Sequence, residues 1–221
     1  MRTAIPTFLL AATTLAVLSA CQPKTDTAAD KTAASAPTAQ TSSAAQTTAP
    51  LNGTDMRKED IGGDFTLTDG DGKAFKLSDL KGKVVVLSFG YTHCPDVCPT
   101  ELLTYSDVLK QLGDQAKDVK VVFVSVDSER DTPDVIGKYA KQFNPDFIGL
   151  TATEGQDLSV IKQQYRVVSA KVGQKEDAEN YLVDHSSGAY LIDKNGEVAI
   201  FSPYGSNPDT IAADIKTLLQ P

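Results

Sequence analysis

From residue 65 onward, hydrophobic positions come in short runs separated by turn signals, and the spacing of those runs predicts the elements. Phe65 to Thr68 and Ala74 to Leu77 flank Asp69-Gly70-Asp71-Gly72, a composition that reads as a β-hairpin. Lys83 to Phe89 is a nearly continuous apolar run, as expected of a central strand covered on both faces. A loop and a helix from about Cys98 to Leu112 follow, and Val119 to Val126 reads as a second buried strand. Thr132-Pro133 opens another helix, with Thr as the cap and Pro in the first turn. Ile148 to Leu150 is a short strand, and Thr153 with Gln156 resembles a capping box for a helix running to about Tyr165. Tyr190 to Asp193 and Val198 to Phe201 flank Lys194-Asn195-Gly196, a second hairpin, and Asn207-Pro208 starts a last helix.

Ahead of these runs the pattern is different. Phe8 is alone among the fifteen Phe and Tyr residues in preceding Phe65, so the first sixty positions carry almost nothing aromatic to build a core. Met1 and Arg2 give a basic start, and Ile5 to Leu18 is an apolar stretch too short and too interrupted to span a bilayer comfortably, which reads as a removable signal. It ends in Leu18-Ser19-Ala20-Cys21, which resembles the bacterial lipobox. That resemblance implies cleavage before Cys21 and a lipid on its thiol, and Gln22 leans towards the outer membrane. Of the 29 residues from Gln22 to Pro50, 25 are Ala, Thr, Ser, Gln or Pro, and none is a large apolar residue. Such a segment cannot offset the entropy of ordering its backbone and reads as a tether. The division expected is a signal over 1–20, a tether over 21–60 and a globular domain over 61–221. The net charge of −8, with no run of Lys or Arg, argues against nucleic acid as a partner.

Strands alternating with helices, then a hairpin and a helix, give an α/β sandwich with a mixed central sheet, an N-terminal hairpin and flanking helices. With paired cysteines directly after a central strand, this order matches the thioredoxin-like fold. Cys94 and Cys98 are four apart at the start of a helix, so both sulfurs face one side about a turn apart, and the helix N-terminus should ease their ionisation. Two thiolates aimed at one point are a redox pair or part of a soft-metal site. A purely structural disulfide is a poor alternative, because a loop of about five residues contributes only about 2 kcal/mol by chain entropy.

Three separated motifs make the resemblance specific. Cys94-Pro95-Asp96-Val97-Cys98-Pro99, then Val126 to Pro133, then Tyr181 to His185 followed by Tyr190 to Asp193, resemble the Sco/SenC family of copper proteins of cytochrome oxidase assembly, over about residues 62 to 220. The resemblance implies one copper, Cu(I) or Cu(II), on Cys94, Cys98 and His185. It also implies a role as copper donor to the copper-site subunit of cytochrome oxidase, as reductant of that site's cysteines, or both. A periplasmic copper chaperone and a thioredoxin-like reductant are the further partners it suggests, with the domain in the periplasm and the anchor in either membrane. Two thiolates and an imidazole suit both copper oxidation states. His93, beside Cys94, is the competing ligand, but neighbouring side chains generally point apart. Asp127, with Arg130 and Asp131, is a candidate supporting cluster or a charged turn before a helix, and Asp184 is a candidate to orient His185.

Rival readings lack parts. A plain thioredoxin-like oxidoreductase would have two residues between its cysteines and a proline in the facing loop; here there are three, and Asp184 to Gly188 contains no Pro. A peroxiredoxin would have Thr or Ser three positions before its reactive Cys and Pro seven before, where this chain has Tyr91 and Leu87. A general extracytoplasmic thiol-disulfide oxidoreductase with an antioxidant role is the alternative that uses the same sulfurs. A metal-free binding lipoprotein would need no reactive thiols at all.

Overall fold

The computed structural model describes residues 51–173 and 181–220. The signal, Cys21 and the Gln22–Pro50 segment lie outside the described residues. Two strands at the centre organise the rest. In β4 (Val84–Gly90), all seven residues are buried, and β5 (Val119–Ser125) runs parallel to it with Val84 opposite Val119 and Gly90 opposite Ser125. Because strand side chains alternate, each of these apolar runs feeds two cores. Val84 and Val86 with Val121 and Phe123 pack beneath α1 (Val97–Leu112), α2 (Pro133–Phe143) and α4 (Pro208–Leu219). Val85, Leu87 and Phe89 with Val122 and Val124 face the opposite way, onto Tyr165, Ile161 and Tyr190.

The remaining strands extend this pair into an eight-stranded mixed sheet. The flanking strands are β1 (Thr54–Asp55), β2 (Thr66–Asp69), β3 (Ala74–Lys76), β6 (Ile148–Thr151), β9 (Ala189–Ile192) and β10 (Val198–Ser202). The order across the sheet is β1-β10-β9-β4-β5-β6-β2-β3, with β4, β5 and β6 parallel and the other pairings antiparallel. A separate two-stranded sheet joins β7 (Ser169–Val172) to β8 (Leu182–His185). The expected mixed α/β sandwich, both hairpins and the order of helices are all present.

Three local expectations need correction. The domain begins earlier than residue 61. Asp214, buried on α4, accepts hydrogen bonds from the Asn52 and Gly53 amides at 2.8 Å each, and β1 then pairs with β10, so residues 51–60 belong to the folded unit. A long-range carboxylate, invisible in local composition, ties them down. The helix expected from Thr153 begins later, as α3 (Leu158–Gln164), capped by Asp157, whose side chain accepts from Ser159 N. Gly155, at φ 81°, breaks the helical path, and Gln156 Oε1 instead accepts from Thr153 N at 2.9 Å to close a turn. Thr132 precedes Pro133 as expected, but its side chain makes no capping bond. Among the described residues, no helix is long and apolar enough to cross a membrane.

Candidate metal centre

The site lies at the C-terminal end of β4, where the chain turns into α1. Gly90, the last residue of the strand, points towards the helices, and a Cβ there would lie 2.7 Å from Cys98 Sγ and 2.7 Å from the Phe123 ring. Only the absence of a side chain lets the Cys98 sulfur rest on the strand. Cys98 is fully buried in the first turn of α1, whereas Cys94 is half-buried in the preceding loop. The two residues are nevertheless linked, because the Cys98 amide donates to Cys94 Sγ at 3.3 Å. Cys94 thus does what the N-cap residue Asp96, which makes no capping bond, does not. Both cysteines are free thiols.

Burial reverses the expectation about ionisation for one of them. Removal from water pushes the Cys98 thiol well above its ordinary pKa, and the neighbouring Cys94 sulfur adds to the rise. The desolvation of a fully buried sulfur outweighs the helix N-terminus. Cys98 therefore stays protonated without a cation, and a metal that takes its thiolate must release that proton.

His185 is the last residue of β8, 87 positions from Cys98 in sequence, and its Nε2 lies 3.3 Å from Cys98 Sγ. Its Nδ1 lies 2.9 Å from the Ser186 carbonyl. A carbonyl only accepts, so Nδ1 carries the proton and Nε2 turns its lone pair to the sulfurs. The backbone fills the orienting role that the sequence offered to Asp184, whose exposed position on β8 is across from Ala170. The Tyr91 ring stands edge-on to the imidazole with centroids 5.8 Å apart. The ligand atoms of Cys94, Cys98 and His185 all lie within 4.8 Å of one another. His93 is exposed beside this group; its Nδ1 faces the Thr92 hydroxyl at 3.1 Å, and it takes no part in the convergence.

The loop between β5 and α2 braces both ligand-bearing segments with two buried carboxylates. Asp131 accepts from the Thr92 amide at 3.0 Å, from the Thr92 hydroxyl and from the Ser125 hydroxyl, which fixes the strand-to-helix loop just before Cys94. Asp127 accepts from the Tyr181 hydroxyl and from Arg130 Nε, each at 2.6 Å, while Arg130 Nη1 donates to the Tyr181 carbonyl at 3.0 Å. The Arg130 guanidinium lies 3.6 Å from the centre of the Tyr181 ring, so this cluster grips the start of β8. Asp127 therefore sits beneath the histidine strand, away from the ligand atoms. Gly90 and Tyr91 were not read from the sequence as parts of the site, whereas Asp131 was offered there beside Asp127 and Arg130. Gly90 at a strand end just before the cysteine motif was the available signal; Tyr91 depends on a contact 92 positions apart, and the partner that gives Asp131 its role is 39 positions away.

A thioredoxin-like sandwich with two thiols and one imidazole converging at the end of its central strand defines a small class of proteins with a soft-metal site. The SCO1/SenC family model matches residues 53–220, and the chain belongs to that family. It is 40% identical over 156 residues to an SCO2-like protein of Rickettsia felis, covering 71% of this chain and 76% of the relative. Among solved structures it is similar to ScoI of Bradyrhizobium japonicum with copper bound, at 42% identity and a TM-score of 0.65, over 72% of this chain and 99% of that one. Two more distant structures add further features. One is a SCO1/SenC family lipoprotein from Bacillus anthracis, 28% identical with a TM-score of 0.65 over 77% of this chain and 100% of that one. The other is BsSco, a member of the Sco family of cytochrome c oxidase assembly proteins in which a disulfide switch was identified; it is 26% identical with a TM-score of 0.57 over 73% of this chain and 95% of that one.

Proposed function

We propose that this chain binds one copper ion through Cys94, Cys98 and His185 and passes it to the copper-site subunit of cytochrome oxidase during assembly. The observation that carries this reading is the convergence of two sulfurs and an imidazole Nε2 within 4.8 Å, with Nδ1 already committed to a carbonyl. The donor set fits copper: thiolates favour Cu(I), imidazole suits either oxidation state, and a three-atom set leaves room for an incoming ligand from the recipient. Copper titration tests it. His185→Ala should weaken Cu(II) binding far more than Cu(I), either Cys→Ser change should damage both, and His93→Ala should change neither. Equal loss of Cu(II) from the two histidine variants would remove His185 from the site.

The same sulfurs support a second role, as reductant of the recipient's cysteines. The more accessible Cys94 attacks a disulfide of the recipient and forms a mixed disulfide. Cys98 passes its thiol proton to His185 Nε2, 3.3 Å away, as its sulfur displaces the recipient's second thiol, leaving Cys94–Cys98 oxidised and the recipient as a dithiol, and a thioredoxin-like reductant must restore the pair. The unequal burial of the two thiols favours this order of attack. A copper-loaded site cannot perform it, so the donor and reductant roles alternate.

Cys21 as a lipid attachment site would hold the domain at a membrane on the periplasmic side. With the domain starting near residue 51, the tether is the 29 residues from Gln22 to Pro50, with a taut reach of about 100 Å. Cys21→Ser should leave the membrane fraction or remain unprocessed, and mass spectrometry of the mature N-terminus distinguishes a lipidated Cys21 from an unmodified start elsewhere.

A further inference from the structure

His185 is carried on a strand that is not part of the main sheet, since β8 pairs only with β7 among the described residues. Its position relative to the sulfurs must therefore come from side chains that reach across to it. The Tyr181 cluster holds the beginning of β8. On the far side, the turn Ser186–Gly188 leads from His185 into β9; Val168 holds Ser186, its carbonyl accepting from the Ser186 amide at 2.9 Å and its amide donating to the Ser186 hydroxyl at 3.0 Å, and a group from α1 holds Gly188. Glu101 Oε1 accepts from the Gly188 amide at 2.6 Å, and both groups are buried. Glu101 lies three positions after Cys98 on α1, so the two side chains share a helix face one turn apart.

Gly188 is also approached closely from its other side. At φ 111° it occupies backbone space that favours glycine, and a Cβ there would lie 2.6 Å from the Ser202 carbonyl oxygen. Its amide thus has α1 on one side and β10 on the other. Glu101 is only 4% exposed, a large desolvation cost for a carboxyl group that is not itself one of the converging ligand atoms. Nothing in the linear pattern marks this residue.

We propose that Glu101 is a positioning residue for His185: by holding the Gly188 amide from the helix that carries Cys98, it fixes the separation between the imidazole and the two sulfurs. The inference rests on the copper reading above and assigns the residue that makes the third ligand available. Cu(I) is content with two thiolates, whereas Cu(II) prefers a fuller set, so losing this hold falls on Cu(II).

The test compares Glu101→Gln, which keeps the accepting oxygen, with Glu101→Ala and Glu101→Met, which remove it; Met retains most of the buried volume should Ala fail to fold. Cu(I) and Cu(II) affinities, the sulfur-to-Cu(II) charge-transfer spectrum and the exchange rate of the Gly188 amide in the metal-free chain are measured. Loss of the acceptor should weaken Cu(II) by about 10- to 100-fold with an altered charge-transfer band, leave Cu(I) nearly unchanged and speed Gly188 exchange by about tenfold or more. Gln should restore both readouts. Unchanged Cu(II) affinity in Ala and Met despite faster Gly188 exchange overturns the inference alone. Equal losses of Cu(I) and Cu(II) in all three variants overturn it in favour of a general structural role. A wild-type chain that binds no copper overturns the parent reading and this one with it, while Gly188 exchange still reports whether Glu101 holds the turn.

Discussion

Replacing Glu101 by Gln should change how stability depends on pH. Burial raises the Glu101 carboxyl from 4.5 to about 7, against the opposing pull of the Gly188 amide and the facing Tyr105 hydroxyl. Desolvation wins because the group is nearly sealed from water. The unfolded chain releases this proton near 4.5 and the folded chain near 7, so between those values the folded state holds more protons and stability falls as pH rises. A rise of that size corresponds to about 3 kcal/mol, reached at a slope of about 1.4 kcal/mol per pH unit. Asp55, held near 2 by Arg57, acts only at lower pH, and Cys98, raised above a starting value of 9.0, acts only at higher pH. Urea unfolding of the reduced, metal-free chain at pH 5, 6, 7 and 8 should show the wild type losing most of this amount, while Glu101→Gln, which has no proton to lose, lacks that decline. A protonated carboxyl still accepts through its carbonyl oxygen, so the Gly188 hold persists across the range. Parallel pH profiles for wild type and variant would refute the claim that burial governs this carboxyl.

Further outcomes follow from individual contacts. Gly90→Ala places a methyl group 2.7 Å from Cys98 Sγ and the Phe123 ring, so unfolding experiments should show a loss of about 1–3 kcal/mol, with weakened Cu(I) binding as the sulfur is displaced. Tyr181→Phe removes one of the two side-chain donors to buried Asp127 and should lower stability by about 1–3 kcal/mol, with hydrogen exchange accelerated in β8 before any change in β4. Asp214→Ala frees the Asn52 and Gly53 amides, and limited proteolysis should then cut within residues 51–60 while the metal site keeps its affinity. Loading the reduced protein with Cu(I) at pH 7 in weak buffer should acidify the solution, because the buried Cys98 thiol gives up its proton to bind; no acidification would show that Cys98 is not a ligand.

Much of the fold could be read before any coordinates, for reasons that differ between elements. β4 and β5 announced themselves because strands covered on both faces need apolar residues at every position, and the Lys194-Asn195-Gly196 turn because few residues tolerate its backbone. The capping signal at Thr153 misled because the same side-chain bond closes a turn or starts a helix, and Gly155 decided for the turn. β1 was hidden because two residues make no periodic pattern, and only Asp214, 161 positions from Gly53, explains their order.

The site divides in the same way. The local chemistry belongs to the sequence: two cysteines four apart after a buried strand, with a helix beginning between them, restrict the possibilities to redox or soft-metal work. Tertiary structure alone decided the rest. It placed the His185 nitrogen 3.3 Å from a sulfur 87 positions away, gave the orientation of that ring to the Ser186 carbonyl in place of Asp184, and pushed the Cys98 thiol up where a helix N-terminus by itself would have lowered it. These are effects of burial and of contacts between distant segments. A linear pattern records which groups a chain possesses, but desolvation and long-range hydrogen bonds depend on what the fold stacks around each of them.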